Sequence, residues 1–390
     1  MNQASQLDSP SRPTMPVNAA YIHVPFCVHK CGYCDFTVIA GRDDLADAYL
    51  EALELELRSE LREPHPVETL FIGGGTPTQL NVPQLTRLLE LLATWLPVRN
   101  GGEFSVEANP TGLTPEKMDV LYKGGVNRVS LGVQSFQQQE LKVLERDHTP
   151  DDVTRVVSEL KSAGLTNVAI DLIYAIPGQS LPHWQENIAA TVELSPSHIS
   201  TYGLTFERGT KFWSRLQHGD LSRADDELER SMYAWAMDEL PRQGFGQYEL
   251  SNYARPGREC RHNRVYWNAE PYLGFGPGAA AFDGTKRTTR HRSTTTWIRN
   301  TLAGQPTLSD EETLTREVRA REAVMLGLRQ TAGISLSDYE STYGHSVRDL
   351  SPICYDQFLE MEWLAQSNGH VQLTREGRFV ADTVMSEFLV

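Results

Sequence analysis

From Ala20 to about Phe206, short apolar runs alternate with longer stretches of helical periodicity. The runs at 21–24, 69–72, 103–107, 128–131, 168–173 and 198–204 predict strands. Between them, Ala46, Tyr49, Leu50, Leu53, Leu57 and Leu61 keep to one helical face. Leu85, Leu88, Leu89, Leu92 and Leu96 do the same after the start signal Asn81 and Pro83. Segments 115–123, 150–161 and 181–193 predict three further helices. Alternation this regular makes parallel βα units. The unusual residues fall near one edge: Cys27–Cys34 after the first strand, Gly73-Gly74-Gly75-Thr76 after the second, Glu107 ending the third and Gln134 after the fourth. Tyr202-Gly203 ends the sixth, while Asp171 lies within the fifth. Barrel enzymes assemble their sites at the carboxyl edge, so the expected core is a partial (β/α)6 barrel of the α/β class.

Beyond residue 206 the rhythm changes. Residues 225–240 carry a helical pattern, followed by Gly244-Phe245-Gly246 and a loop rich in Asn, Tyr, Trp and Arg up to Phe282. The polar stretch 285–307 is expected to be irregular. Helices resume at Glu311, and 370–373 followed by 374–389 suggests a small winged-helix-like module. The expected organisation is a disordered tail over 1–19, the barrel over 20–206, a barrel-covering α+β extension over 207–308 and a winged-helix-like domain over 309–390.

Composition is ordinary for a chain with a real core: 40% hydrophobic and 22% charged residues among 390. No run approaches ~18 apolar residues, and the first residues lack the pattern of a secretory signal, so a cytoplasmic location is expected. The net charge of −15 repels phosphate backbones and argues against nucleic acid as a partner. Residues 310–390 carry 14 acidic and seven basic side chains, net −7, so the winged-helix-like module is expected to be structural or to cover substrate.

There are five cysteines, Cys27, Cys31, Cys34, Cys260 and Cys354. An odd number is a poor disulfide framework, and three within eight residues read as soft-metal ligands. The spacing leaves two groups open. A cubane iron–sulfur cluster would keep one iron without a protein ligand, a vacancy where chemistry can happen. Structural zinc would need a fourth ligand such as His23, His29 or Cys260. Elsewhere, the triple glycine lets backbone approach a ligand closely, and Glu107 suits a ribose hydroxyl or an ammonium group. Gln134 and Asp171 sit in apolar runs and need partners, while Arg146, ahead of Asp147-His148-Thr149, could equally pair on the surface.

The string Tyr21-Ile22-His23-Val24-Pro25-Phe26-Cys27-x3-Cys31-x-Tyr33-Cys34 resembles the start of radical S-adenosylmethionine proteins. More narrowly, it resembles the oxygen-independent coproporphyrinogen III dehydrogenases and their relatives, the HemW-type heme chaperones. The resemblance runs from Tyr21 to about Phe282 and more faintly to the C-terminus. It implies a [4Fe–4S] cluster on Cys27, Cys31 and Cys34, with S-adenosylmethionine chelating the open iron and cleaved by an electron from the cluster to methionine and a 5′-deoxyadenosyl radical. It carries Tyr21, Tyr33, Gly74, Gly75, Thr76, Glu107, Gln134, Arg146 and Asp171 over as cofactor-contacting positions, some of which hold a second cofactor molecule in the dehydrogenases. Those enzymes have a fourth cysteine where this chain has Phe36, and an N-terminal extension where about 20 tail-like residues precede Tyr21. Both departures favour the chaperone branch over the dehydrogenase.

Cys260-Arg261-His262-Asn263-Arg264-Val265-Tyr266-Trp267 resembles the His-Asn-x-x-Tyr-Trp segment of the chaperones, which implies heme as cargo at His262 and Tyr266, with Cys260 as a nearby alternative. Both His and Tyr ligate heme iron. Gly274-x-Gly276-Pro277-Gly278 is expected to serve packing. The implied partner is a heme-acceptor protein, including a membrane-bound one met peripherally; oligomeric state is not fixed by the sequence.

Overall fold

The computed structural model describes residues 16–390, so the tail expected over 1–19 lies mostly outside the described residues. The described part of it is tied down. The Val17 carbonyl accepts from His65 Nε2 at 2.7 Å, and the Asn18 carbonyl accepts from the amides of Glu68 and Thr69.

All six expected strands form, as Ala19–Val24, Val67–Gly74, Val98–Ala108, Arg128–Gln134, Val168–Tyr174 and His198–Gly203. They pair in parallel in chain order. Leu273–Phe275 adds in parallel beside the first strand, and Asn252–Ala254 and Gly246–Gln247 continue antiparallel beyond the sixth, making nine strands. The two edges do not pair with each other, so the sheet is an open, partial barrel.

The helices follow the periodicity. In Ala46–Leu61, Tyr49, Leu50, Leu53 and Leu57 are fully buried. Val82–Trp95 begins with a capping box between Asn81 and Gln84, which satisfies two of the amides that a helix start leaves free. Thr149 and Asp152 repeat the device at Pro150–Ser162.

Residues 285–307 are not irregular. Lys286–Arg290 is the central strand of a three-stranded sheet with Ala280–Phe282 and Leu308–Thr313. Thr294–Leu302 is a helix capped by Ser293 that buries Trp297 and Ile298. The strand is polar because it is only half-covered, so no apolar alternation marks it. This region is locked to the barrel through Glu56, 3% exposed on the first helix. Its carboxylate accepts from the Gly276 amide at 2.8 Å and Trp297 Nε1 at 2.9 Å, and pairs with Arg290 Nε at 3.1 Å.

The glycines at 274–278 serve packing: a Cβ on Gly276 would lie 2.5 Å from the His23 carbonyl, and one on Gly278 would lie 2.5 Å from Thr37 Oγ1. At the C-terminus, Ile334–Ser335, His370–Leu373 and Leu364–Ser367 form a small antiparallel sheet among short helices. These share a separate apolar core.

Candidate cofactor cavity

The loops after the strands enclose a cavity of about 500 Å³. Cys27, Cys31 and Cys34 all line it as free, partly exposed thiols. Short pairing of Phe26–Cys27 with Ile39–Ala40 closes the loop that carries them. Cys27 Sγ lies 3.6 Å from Thr76 Oγ1; Cys31 Sγ lies 3.9 Å from the Glu145 carbonyl and 3.8 Å from Arg146 Nη1. Burial pushes the Cys27 thiol up to about 11 and raises Cys34. Any metal group must therefore displace their protons. Phe36, at the tip of the same loop, is 59% exposed.

Glu107, Gln134, Asp171, Tyr33, Gly74 and Gly75 line the same cavity, as do Thr76 and Arg146, which stand beside Cys27 and Cys31. Glu107 accepts from the Gly74 amide at 2.9 Å, yet burial pushes its carboxyl up to about 7. Gln134 takes a left-handed backbone, φ 69°, where the pairing of the fourth and fifth strands slips register. Its side chain makes no hydrogen bond to any described residue. A non-glycine residue held in that region is strained, and such strain concentrates at ligand sites. Asp171 accepts from Ser130 Oγ at 3.0 Å, and burial raises its carboxyl.

Arg146 is not a surface residue: Nη2 donates to Asn109 Oδ1 at 2.6 Å and to the Gly132 carbonyl at 2.7 Å, while its buried Nε has no partner. Tyr21 is the one member of the set absent from the cavity wall; its hydroxyl meets His23 Nδ1 at 3.1 Å.

The triple glycine is required by the protein itself. A Cβ on Gly74, where φ is +106°, would lie 2.4 Å from the His23 ring, and one on Gly75 would lie 2.7 Å from the Phe26 carbonyl. The close approach is between the end of the second strand and the end of the first with the residues that follow it, so the expected reason for these glycines changes although Gly74 and Gly75 still line the cavity.

Several wall residues escaped the sequence reading. Asn109 links Thr76 Oγ1, at 2.9 Å, to Arg146. Arg128, Ser130 and Ser200 also face in, beside Tyr202, which the sequence had already placed at the end of the sixth strand. The period-two pattern 128, 130, 132, 134 was the available signal, since alternate strand residues share a face. Arg128 is 2% exposed and donates no side-chain hydrogen bond to a described residue.

The candidate fourth ligands for a single zinc ion are otherwise engaged. His23 Nε2 meets the Thr37 carbonyl at 2.6 Å, His29 meets Glu145 at 2.8 Å, and buried Cys260 donates to Glu103 at 3.5 Å. Among the described residues, no three His, Cys, Asp or Glu side chains gather tightly enough for one metal ion. Thiols spread more widely around one cavity can hold a multi-metal cluster, and the facing polar groups can take a ligand that carries hydroxyl, ammonium and carboxylate groups.

His262 and Tyr266 are outside this cavity. His262 is 0% exposed, with Nδ1 2.9 Å from Thr69 Oγ1 and Nε2 2.9 Å from the Tyr266 hydroxyl. Burial lowers its imidazole to about 3. Tyr266 lines a second cavity, and Asn263, between them in sequence, lines the first.

Residues 21–190 match the Radical SAM superfamily, and residues 314–380 match the HemN C-terminal domain. The chain is 36% identical to the heme chaperone HemW of Bacillus subtilis (strain 168), covering 96% of this chain and 99% of that one. It is 37% identical to the heme chaperone HemW of Escherichia coli (strain K12), covering 68% and 70%. The structure of coproporphyrinogen III oxidase (HemN) from Escherichia coli, a radical SAM enzyme, is similar with a TM-score of 0.84 over 96% of this chain and 91% of that one, at 23% identity, a likeness of fold.

Proposed function

Because the chain belongs to the HemW family of heme chaperones within the radical SAM superfamily, we propose that it binds heme and hands it to an acceptor protein. In this reading Cys27, Cys31 and Cys34 hold a [4Fe–4S] cluster. Gly74, Gly75, Thr76, Glu107, Gln134, Arg146 and Asp171, with Tyr33 at the edge, hold S-adenosylmethionine. Tyr21 acts one step back, through His23. Heme belongs to the segment of His262 and Tyr266. The observation that carries the cofactor part is that three free thiols share one cavity with Gln134, whose side chain has no partner among the described residues, and with Arg146, whose buried Nε has none.

When bound, the cluster and S-adenosylmethionine supply one-electron cleavage of the sulfonium. The chain's own residues do the rest. Arg146 places its guanidinium 3.8 Å from Cys31 Sγ, between the thiol loop and the polar wall. Asn109 fixes Thr76 and Arg146 relative to each other. Glu107, charged above about pH 7, offers an acceptor to an ammonium or ribose hydroxyl.

Phe36, exposed where the dehydrogenases have a fourth cysteine, supports the chaperone over the dehydrogenase alternative. No described helix is long and apolar enough to cross a membrane. We take the site of action to be the cytoplasm, with a membrane-bound acceptor met peripherally.

Anaerobic reconstitution tests the cofactor part. About four iron and four sulfide per chain are expected, and recovery of zinc alone would overturn it. Product analysis with coproporphyrinogen III tests the branch: no decarboxylated product is expected, and its formation would favour the dehydrogenase.

A further inference from the structure

Arg128 opens the fourth strand, Arg128–Gln134, whose alternate residues share the inward face. On that face Ser130 meets the Asp171 carboxylate, and a Cβ on Gly132 would lie 3.2 Å from Asn109 Oδ1 and 3.6 Å from Arg146 Nη2. Arg128 lines the same cavity at its floor. It stands at the opposite end of the strand from Gln134, roughly 20 Å of extended chain away.

This cation is without a counter-ion. It is buried, its Nε has no hydrogen-bond partner, and no described carboxylate forms an ion pair with it. A guanidinium does not shed its proton, so the charge stays, and an unpaired buried charge is costly. The neighbouring acids are occupied. Glu103 accepts from the Arg261 and His262 amides at 2.9 and 3.1 Å, and Asp171 accepts from Ser130. His198, which alternates with the cavity residue Ser200 on the sixth strand, also has a buried Nδ1 without a partner. Burial opposes the charge of Arg128, while Cys260, Glu103, Tyr248 and Asp171 around it favour it. The guanidinium also acts through space on Glu107, a further carboxyl of the cavity wall.

Resting on the reading of the thiol end as the S-adenosylmethionine site, we propose that the cavity floor is a carboxylate subsite, where Arg128 pairs with the acid group of a ligand other than that S-adenosylmethionine. In that reading the cofactor chelates an iron at the thiol end, far from the floor. A carboxylate at the floor supplies the missing counter-ion, in the forked geometry that a guanidinium offers. A separate organic acid and a second S-adenosylmethionine present the same group to Arg128, and stoichiometry tells them apart.

Glu107 and Asp171 compete with such a ligand for the one guanidinium. Glu107 gives up its charge below about pH 7. Binding of the acid group therefore strengthens as pH falls, opposite to the trend for an ammonium group held by Glu107.

The test is thermal denaturation of the reconstituted, S-adenosylmethionine-loaded chain with added propionate, against propionamide at equal ionic strength. Propionate is expected to raise the melting temperature saturably, more at about pH 6 than at about pH 8, and propionamide to leave it unchanged. Arg128→Lys binds about tenfold more weakly, and Arg128→Met loses the shift. Without ligand, Arg128→Met melts no lower than wild type, since it removes an uncompensated buried charge. Circular dichroism establishes that both variants are folded. Calorimetry identifies the source of the acid group. About one S-adenosylmethionine per chain in wild type and Arg128→Met assigns the floor to a separate acid; two falling to one in Arg128→Met assigns it to a second cofactor molecule. A propionate shift that survives in Arg128→Met, or that propionamide matches, would overturn the subsite. So would the lack of any shift with one S-adenosylmethionine in both chains, or Arg128→Met melting several degrees low with no propionate effect in wild type. The cluster-free chain keeps the two readings apart: an Arg128-dependent propionate shift in a chain that takes up no S-adenosylmethionine retains the subsite and removes the cofactor reading.

Discussion

Glu107 shows how one buried side chain sets a condition on the whole site. Its carboxyl has one amide partner and little water, and burial holds its titration near pH 7. The charged form, which accepts from an ammonium or hydroxyl, dominates only above that value. Affinity for S-adenosylmethionine, measured by calorimetry on reconstituted protein, is therefore expected to rise from about pH 6 to about pH 8. Glu107→Gln should flatten this slope, and a variant that keeps it would exclude Glu107 as its origin. Gly74→Ala attacks a neighbouring constraint. A Cβ there meets the His23 ring at 2.4 Å with φ at +106°. A loss of about 2–4 kcal/mol in thermal denaturation is expected.

At the scale of elements, the strands and crossover helices were readable because each carries its own period and its own start signal: Asn81 and Pro83 announce a helix in the sequence and cap one in the structure. Cys27, Cys31 and Cys34 were readable for the same reason, being local. Asn109 and Arg128 were not, since their significance arises only when neighbouring strands bring them to one wall. The stretch 285–307 misled because its strand is half-covered and its helix buries only the Trp297 side. His262 and Tyr266 looked like one site in the sequence and do meet through a hydrogen bond, yet His262 is fully buried whereas Tyr266 also lines a cavity. That stretch is held to the barrel by Glu56, whose carboxylate satisfies Gly276, Trp297 and Arg290 together. Glu56→Ala leaves the Gly276 amide and Trp297 Nε1 without their acceptor, and Arg290 with Glu60 as its remaining carboxylate. It is expected to destabilise the fold by about 2–4 kcal/mol in chemical denaturation, and a change within about 0.5 kcal/mol would show that the node is dispensable.

For the whole molecule, the open nine-stranded sheet leaves its carboxyl edge to the thiol cavity, while the covering region and the C-terminal helices build a second cavity. The helix Arg261–Trp267 touches both, and the proposed reading puts the heme segment outside the thiol cavity. Separation has a direct consequence. Removing the three thiols should abolish cluster assembly and leave heme uptake in place. The most direct measurement is an anaerobic hemin titration of the reconstituted chain beside its Cys27→Ser, Cys31→Ser, Cys34→Ser triple variant. The expected result is saturation at about one heme per chain in both, with iron–sulfur absorbance in the first alone. Uptake that climbs without an end point in the wild type would contradict heme as the cargo of this chain.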